Sequence, residues 1–163
     1  MTVLGSKQRR ARQKEGLREE ILDAARTLFV KQGYESVSIR KIADKIEYAP
    51  GTIYLYFRDK AEILDRICEE TFVKLILKME AIEHDTSAPL DKLRRGLRTY
   101  IQFGLDNPNH YLLTFIQAKI HHESKSVFET TGMKAFGCMR QGVQECIDAG
   151  ELVSKDVDEL AQT

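Results

Sequence analysis

Ser38-Ile-Arg-Lys-Ile-Ala-Asp-Lys-Ile-Glu-Tyr-Ala-Pro-Gly-Thr-Ile-Tyr-Leu-Tyr-Phe-Arg-Asp-Lys60 is the stretch on which the fold turns. It reads as two short helices separated by three residues. The first runs from about Ile39 to Ile46, with Ser38 as its N-cap. Glu47, Tyr48 and Ala49 make the break. The second starts at Pro50, whose missing N–H and fixed φ suit a first helical turn, and ends near Phe57. Ile53 and Phe57, four apart, share a face that can pack on Ile42, Ala43 and Ile46. Anchoring that face leaves Thr52, Tyr54, Leu55 and Tyr56 outward or edge-on. Two short helices at this spacing form a helix-turn-helix, whose second helix is held from behind and open in front.

The flanking sequence supports the anchor. A helix over about 15–32 carries the apolar stripe Leu17, Ile21, Ala24/Ala25, Leu28 and Phe29, and Gly33 stops it. Residues 1–14, with Lys7, Arg9, Arg10, Arg12 and Lys14, are expected to form a flexible basic arm. Downstream, Asp59-x-x-Glu62 is a capping box opening a long helix to about Glu83. After the polar connector 84–88, a fifth helix spans about Pro89 to Asp106. Asn107 is expected to cap a sixth, and a seventh covers about Ser124 to Ala149, stopped by Gly150. An eighth begins after Ser154 and is still running at Thr163, which reads as a helix cut short. No stretch shows strand-like alternation. The expected fold is all-α, with a three-helix unit over 15–64 (helix-turn-helix about 38–57) and a helical bundle over 65–163.

Charge divides the chain at the same place. Residues 1–60 hold 13 lysines and arginines against 8 aspartates and glutamates, whereas residues 61–163 hold 12 against 17. A basic head on an acidic body suits a partner that is a polyanion such as DNA. Residues 1–16 have no apolar core, so no secretory signal is expected, and no apolar run approaches a membrane span. Three scattered cysteines, Cys68, Cys138 and Cys146, point to a reducing cytoplasm without a disulfide framework. Catalysis finds little support. There is no glycine-rich phosphate loop, nucleophile elbow or paired-carboxylate signature. His121-His122-Glu123 are adjacent, so on a helix they point about 100° apart and share one ion poorly. His84-Asp85 reads as a polar loop. Neither a metal nor a cofactor is expected.

The ordered series Ala25-x-x-Leu28-Phe29-x-x-x-Gly33-Tyr34, Ser38-Ile39-x-x-Ile42-Ala43 and Gly51-Thr52-Ile53-Tyr54-x-Tyr56-Phe57-x-x-Lys60 resembles the TetR/AcrR family of transcriptional regulators over about residues 18–64. The resemblance implies a repressor that binds a palindromic operator in double-stranded DNA as a homodimer and is released by a small-molecule inducer. The DNA-binding residues it implies are Ser38, Arg40, Lys41, Thr52, Tyr54, Leu55, Tyr56 and Lys60. Ser38 and the amides behind it can hold a phosphate, the hydroxyls of Thr52, Tyr54 and Tyr56 suit phosphate oxygens, and Leu55 suits a thymine methyl. Tyr48 departs from the small apolar residue usual in the turn, and Pro50-Gly51 weakens the helix that follows it. In such proteins the bundle encloses the inducer. Phe72, Met79, Tyr100, Phe103, Phe115 and Phe136 are the candidate lining, suited to an apolar or aromatic ligand. If the eighth helix is incomplete, Val157 and Leu160 should be exposed and the dimer weak.

Overall fold

The computed structural model describes residues 6–117, 128–153 and 157–158, and these contain helices and turns with no strand. The helices are α1 (Ser6–Gln32), α2 (Ile39–Lys45), α3 (Pro50–Ile53), α4 (Lys60–Glu83), α5 (Pro89–Asp106) and α6 (Pro108–Tyr111). A π-helical run follows at Leu112–Gln117. A second, Phe128–Gly132, leads into α7 (Met133–Asp148). The molecule is thus an N-terminal unit of α1–α3 joined through α4 to a helical bundle.

The N-terminal unit is built on one core. Ile21, Leu22 and Phe29 of α1, Ile42 and Ala43 of α2, Ile53, Phe57, and Ile63, Leu64 and Ile67 of α4 are all buried together. Leu113, from the π-helical run, is wholly buried in the same cluster. The bundle therefore inserts a side chain into the core of the N-terminal unit. Arg26 of α1 reinforces the seam, lying 3.6 Å from Glu70 of α4. Burial pushes the Glu70 carboxyl above its usual range, with Glu19 adding to the effect and Arg26 and Arg66 opposing it.

Helix ends explain where the elements stop. Gly33, at φ +78°, sends its N–H back to the Phe29 carbonyl at 2.9 Å. Gly150, at φ +73°, ends α7 in a Schellman motif completed by Glu151 N–H to the Cys146 carbonyl at 2.9 Å. Asp59 accepts from the Glu62 amide at 2.8 Å, as a capping box requires. The Glu62 carboxylate returns to the amide of Arg58, one residue further out than the standard box, at 2.7 Å.

Four expectations are corrected. Residues 6–14 are helical and continuous with α1 rather than a flexible arm. Lys, Gln, Arg and Ala are good helix formers, and no helix-breaking residue stands between Ser6 and Glu15. Asn107 does not cap α6, because its side chain turns back to donate to the Phe103 carbonyl at 3.0 Å. The following Pro108 keeps Asn107 out of the helical region, which leaves its amide free to close the end of α5. α3 is only one turn, after which Leu55 and Tyr56 make tighter three-residue bonds to the Thr52 and Ile53 carbonyls. Val157 is half-buried rather than exposed. His121, His122 and Glu123, the start of the expected seventh helix at Ser124, and Leu160 lie outside the described residues.

Candidate nucleic-acid interface

The turn between α2 and α3 sets the geometry of the site. The Tyr48 amide bonds to the Ala43 carbonyl at 3.0 Å and the Glu47 amide to the Asp44 carbonyl at 3.4 Å, a Schellman ending of α2. Its pivot is Glu47, at φ +60°, where glycine is the usual occupant. Ile53 and Phe57 then pin α3 from behind, both buried. What remains in front is Leu55, 75% exposed, and Tyr54, 57% exposed, with Thr52 and Tyr56 half-exposed beside them. An aliphatic and two phenols held outward by a buried anchor can enter a groove and meet methyl groups, phosphates and base edges.

The flank comes from α2. Ser38 adopts an extended conformation and its hydroxyl accepts from the Lys41 amide at 3.3 Å, so its oxygen is engaged as a cap. Arg40 is exposed beside it. Lys41 is turned away, its ammonium donating to the Ser36 carbonyl at 2.8 Å and the Gln32 side chain at 3.0 Å. Lys60 is also engaged. It donates to the Tyr34 carbonyl at 2.8 Å, and its ammonium stands 4.0 Å from the centre of the Tyr34 ring. Three of the eight expected DNA-binding residues, Ser38, Lys41 and Lys60, are thus engaged within the protein. The sequence reading missed Tyr48, which is exposed and shares a groove with Leu55, Tyr56 and Lys14. It also missed Arg58, exposed next to Lys60 and paired with Asp59 at 2.8 Å.

The bundle holds a second candidate site. A cavity of about 50 Å³ lies between α4, α5 and α7, with Met79, Ile82, Leu93 and Met139 as its apolar floor. Gly96 and Gly142 leave the space open, since a Cβ at either would come within 3.8 Å of Met79 Sδ or 3.5 Å of Leu93. Lys92 and Glu145 close one side at 2.8 Å, and Gln141 bridges Glu145 to Glu83. Of the six residues expected to line a pocket, Met79 is the one found here. Phe72, Tyr100 and Phe115 pack with Tyr111 into an edge-to-face and stacked cluster, with centroids 4.9–6.1 Å apart. Phe103 is buried and Phe136 half-buried. The rings fill one another's space, which is why the void lies elsewhere. Among the described residues, no three His, Cys, Asp or Glu side chains are grouped to hold a metal ion, and no helix is long and apolar enough to cross a membrane.

Residues 21–67, from the middle of α1 into the first turns of α4, match the family model for bacterial regulatory proteins of the tetR family. The N-terminal unit is thus of the tetR-family type. It is 27% identical over 136 residues to the fatty acid metabolism regulator protein of Bacillus subtilis, covering 82% of this chain and 69% of that protein. An uncharacterized HTH-type transcriptional regulator of Haemophilus influenzae is 30% identical over 95 residues, 58% of this chain and 51% of that one. Among solved structures, the transcriptional regulator FadR from Bacillus subtilis in complex with stearoyl-CoA superposes with a TM-score of 0.76 at 26% identity, over 88% of this chain and 78% of that one. The chain spans about half the length of the curated relatives it matches first. α4 runs unbroken from Lys60, beside α3, to Met79 at the cavity.

Proposed function

We propose that this chain is a cytoplasmic DNA-binding transcriptional regulator, a repressor that acts as a homodimer and leaves its operator when a small molecule occupies the bundle. The observation that carries the reading is the set of exposed Tyr54 and Leu55 with half-exposed Thr52 and Tyr56, on α3 and the turn that follows it, anchored by Ile53 and Phe57. Leu55 and Thr52 read the groove, Tyr54, Tyr56, Arg40 and the Ser38-capped end of α2 hold phosphates, and Lys60 joins them by leaving Tyr34. An electrophoretic shift of a fragment upstream of its own gene tests this. Retention of that fragment over random duplex supports the reading, and equal affinity for both overturns it.

For the inducer, the size of the cavity matters. About 50 Å³ holds no more than a few waters, against the roughly 300 Å³ or more of ordinary ligand sites. Ligand entry must therefore part α4, α5 and α7, and α4 carries that movement to α3. The apolar floor suits an elongated apolar molecule, and an anionic end would meet Lys92 only by displacing Glu145 from it, with Glu83 close by. The stearoyl-CoA bound by the FadR relative has that character.

A further inference from the structure

We infer that the first turns of α1 are a second DNA-contacting element, a basic edge beside α3 that grips phosphates flanking each half-site. This rests on the DNA-binding reading above and extends it to residues that the helix-turn-helix does not include.

The first observation is electrostatic. Residues 15–60 hold eight basic and eight acidic residues, so the helix-turn-helix unit itself is neutral. The whole surplus of the N-terminal part lies in residues 1–14, with five basic residues and no acidic one. Phosphate neutralisation dominates non-specific DNA affinity, so a neutral head needs its cations from somewhere.

The second observation is register. Positions 7, 10, 14, 17, 21, 24 and 28 advance by alternating steps of three and four, one line along a helix. From position 17 onward that line is Leu17, Ile21, Ala24 and Leu28, all packed in or against the core of the unit. Before it the same line carries Lys7, Arg10 and Lys14. At Lys14 the line changes from apolar to basic where α1 passes beyond the core, and Arg10 and Lys7 continue the same register. Positions 7 to 14 add about 10 Å of helix.

The third observation is direction. Lys14 places its ammonium 6.0 Å from the ring centre of Tyr56, and it lines one groove with Leu17, Tyr48, Leu55 and Tyr56. The extension therefore runs along the side that carries the exposed residues of α3. Glu20 also lines that groove, so an acidic side chain sits at the inner end of the line, and successive cations further out along the line repel each other until phosphates relieve the repulsion.

The test compares two double substitutions that remove equal charge, Arg10→Gln with Lys14→Gln on the line, and Arg9→Gln with Arg12→Gln off it. Affinity for a labelled random-sequence duplex is measured by anisotropy across a salt series. The first pair should lower the slope of log affinity against log salt by about 0.9 for each phosphate the protein no longer neutralises, about two units per protomer. The second pair should lower it by less than half as much. Circular dichroism melts should be unchanged for both, because neither touches the core. Equal slopes for the two pairs, or no decrease in either, overturn the inference while leaving the helix-turn-helix reading intact. Failure of the unsubstituted chain to bind duplex at low salt overturns both.

Discussion

At the scale of single residues, two side chains bind the site to the body of the protein. Lys60 serves the fold in the structure, through the Tyr34 carbonyl and ring, and serves DNA in the proposed complex. Lys60→Ala should therefore show two effects. DNA affinity should fall by a similar factor on every sequence, with the salt slope reduced by about one. Stability should also drop by about 1 kcal/mol, because the bond to Tyr34 goes with the side chain. Binding isotherms and thermal melts of one preparation check both. His110 is the other. Thr71, fully buried on α4, donates to the Ile67 carbonyl at 2.8 Å, so Nδ1 of His110 is the donor in their 2.9 Å contact. Burial lowers the His110 pKa to about 4, with Arg26 and Lys74 pushing the same way and Asp23 opposing. The folded protein thus keeps a neutral imidazole where the unfolded chain would take up a proton. That contribution is present above about pH 6.5 and is lost as pH falls toward 4. Melting temperature should decline between pH 7 and pH 5, above the usual carboxylate range, and His110→Gln should flatten the decline. An unchanged pH dependence in that variant would refute the assignment.

At the scale of elements, legibility followed burial. The stripe of α1 and the pair Ile53/Phe57 could be read because an apolar face repeats at helical spacing and has one place to go. Caps at Ser38, Asp59 and Gly33 were legible for the same local reason. Readings failed where a polar residue had a choice of partner. Asn107 has a carbonyl behind it as well as amides ahead, and Lys41 and Lys60 each reach a backbone carbonyl of their own chain. Glu47 was invisible as a left-handed pivot, because nothing in a glutamate announces φ +60°. That strain gives a prediction. Glu47→Gly should stabilise the protein by up to about 1 kcal/mol, the relief of a side chain in the left-handed region less the flexibility glycine adds to the unfolded chain. A chemical denaturation midpoint reads it, and a midpoint that falls would mean that the glutamate side chain makes a stabilising interaction in solution. Cavity position was illegible for a further reason. Aromatic residues announce a core but not which of them will satisfy one another, and the void formed where Gly96 and Gly142 withhold side chains.

At the scale of the whole molecule, the proposed function gives the shared core and the unbroken α4 the role of coupling the two sites. A ligand that parts α4, α5 and α7 must strain the seam held by Leu113, Arg26 and Glu70, and the strain reaches α3 through α4. Ligand and DNA must then weaken each other by the same factor. Isothermal titration of a long-chain acyl thioester, with and without bound operator fragment, measures that factor from both sides, and a ligand that binds without altering operator affinity would sink the coupling. Assembly makes the last prediction. α3 and the turn after it present two exposed and two half-exposed side chains, enough to discriminate only a few base pairs, so the proposed specificity demands two copies on a two-fold site about one DNA turn apart, roughly 34 Å. The protomer also carries apolar surface. Leu97, Ile101 and Leu105 stand exposed at i, i+4 and i+8 on α5, as do Met133 at the start of α7 and Val153 after it. Among the described residues such surface, with Val73 and Leu77 on α4, favours association, but the three side chains of α5 alone bury far less than the 1,200 Å² or so of a stable interface. This 163-residue chain should therefore be a weak, concentration-dependent dimer in free solution and a two-protomer complex on operator DNA, where the two-fold site holds both copies together. Light scattering across a dilution series and sedimentation of the DNA complex read the two states. A monodisperse dimer persisting below micromolar concentration without DNA would show that the chain holds a full interface of its own.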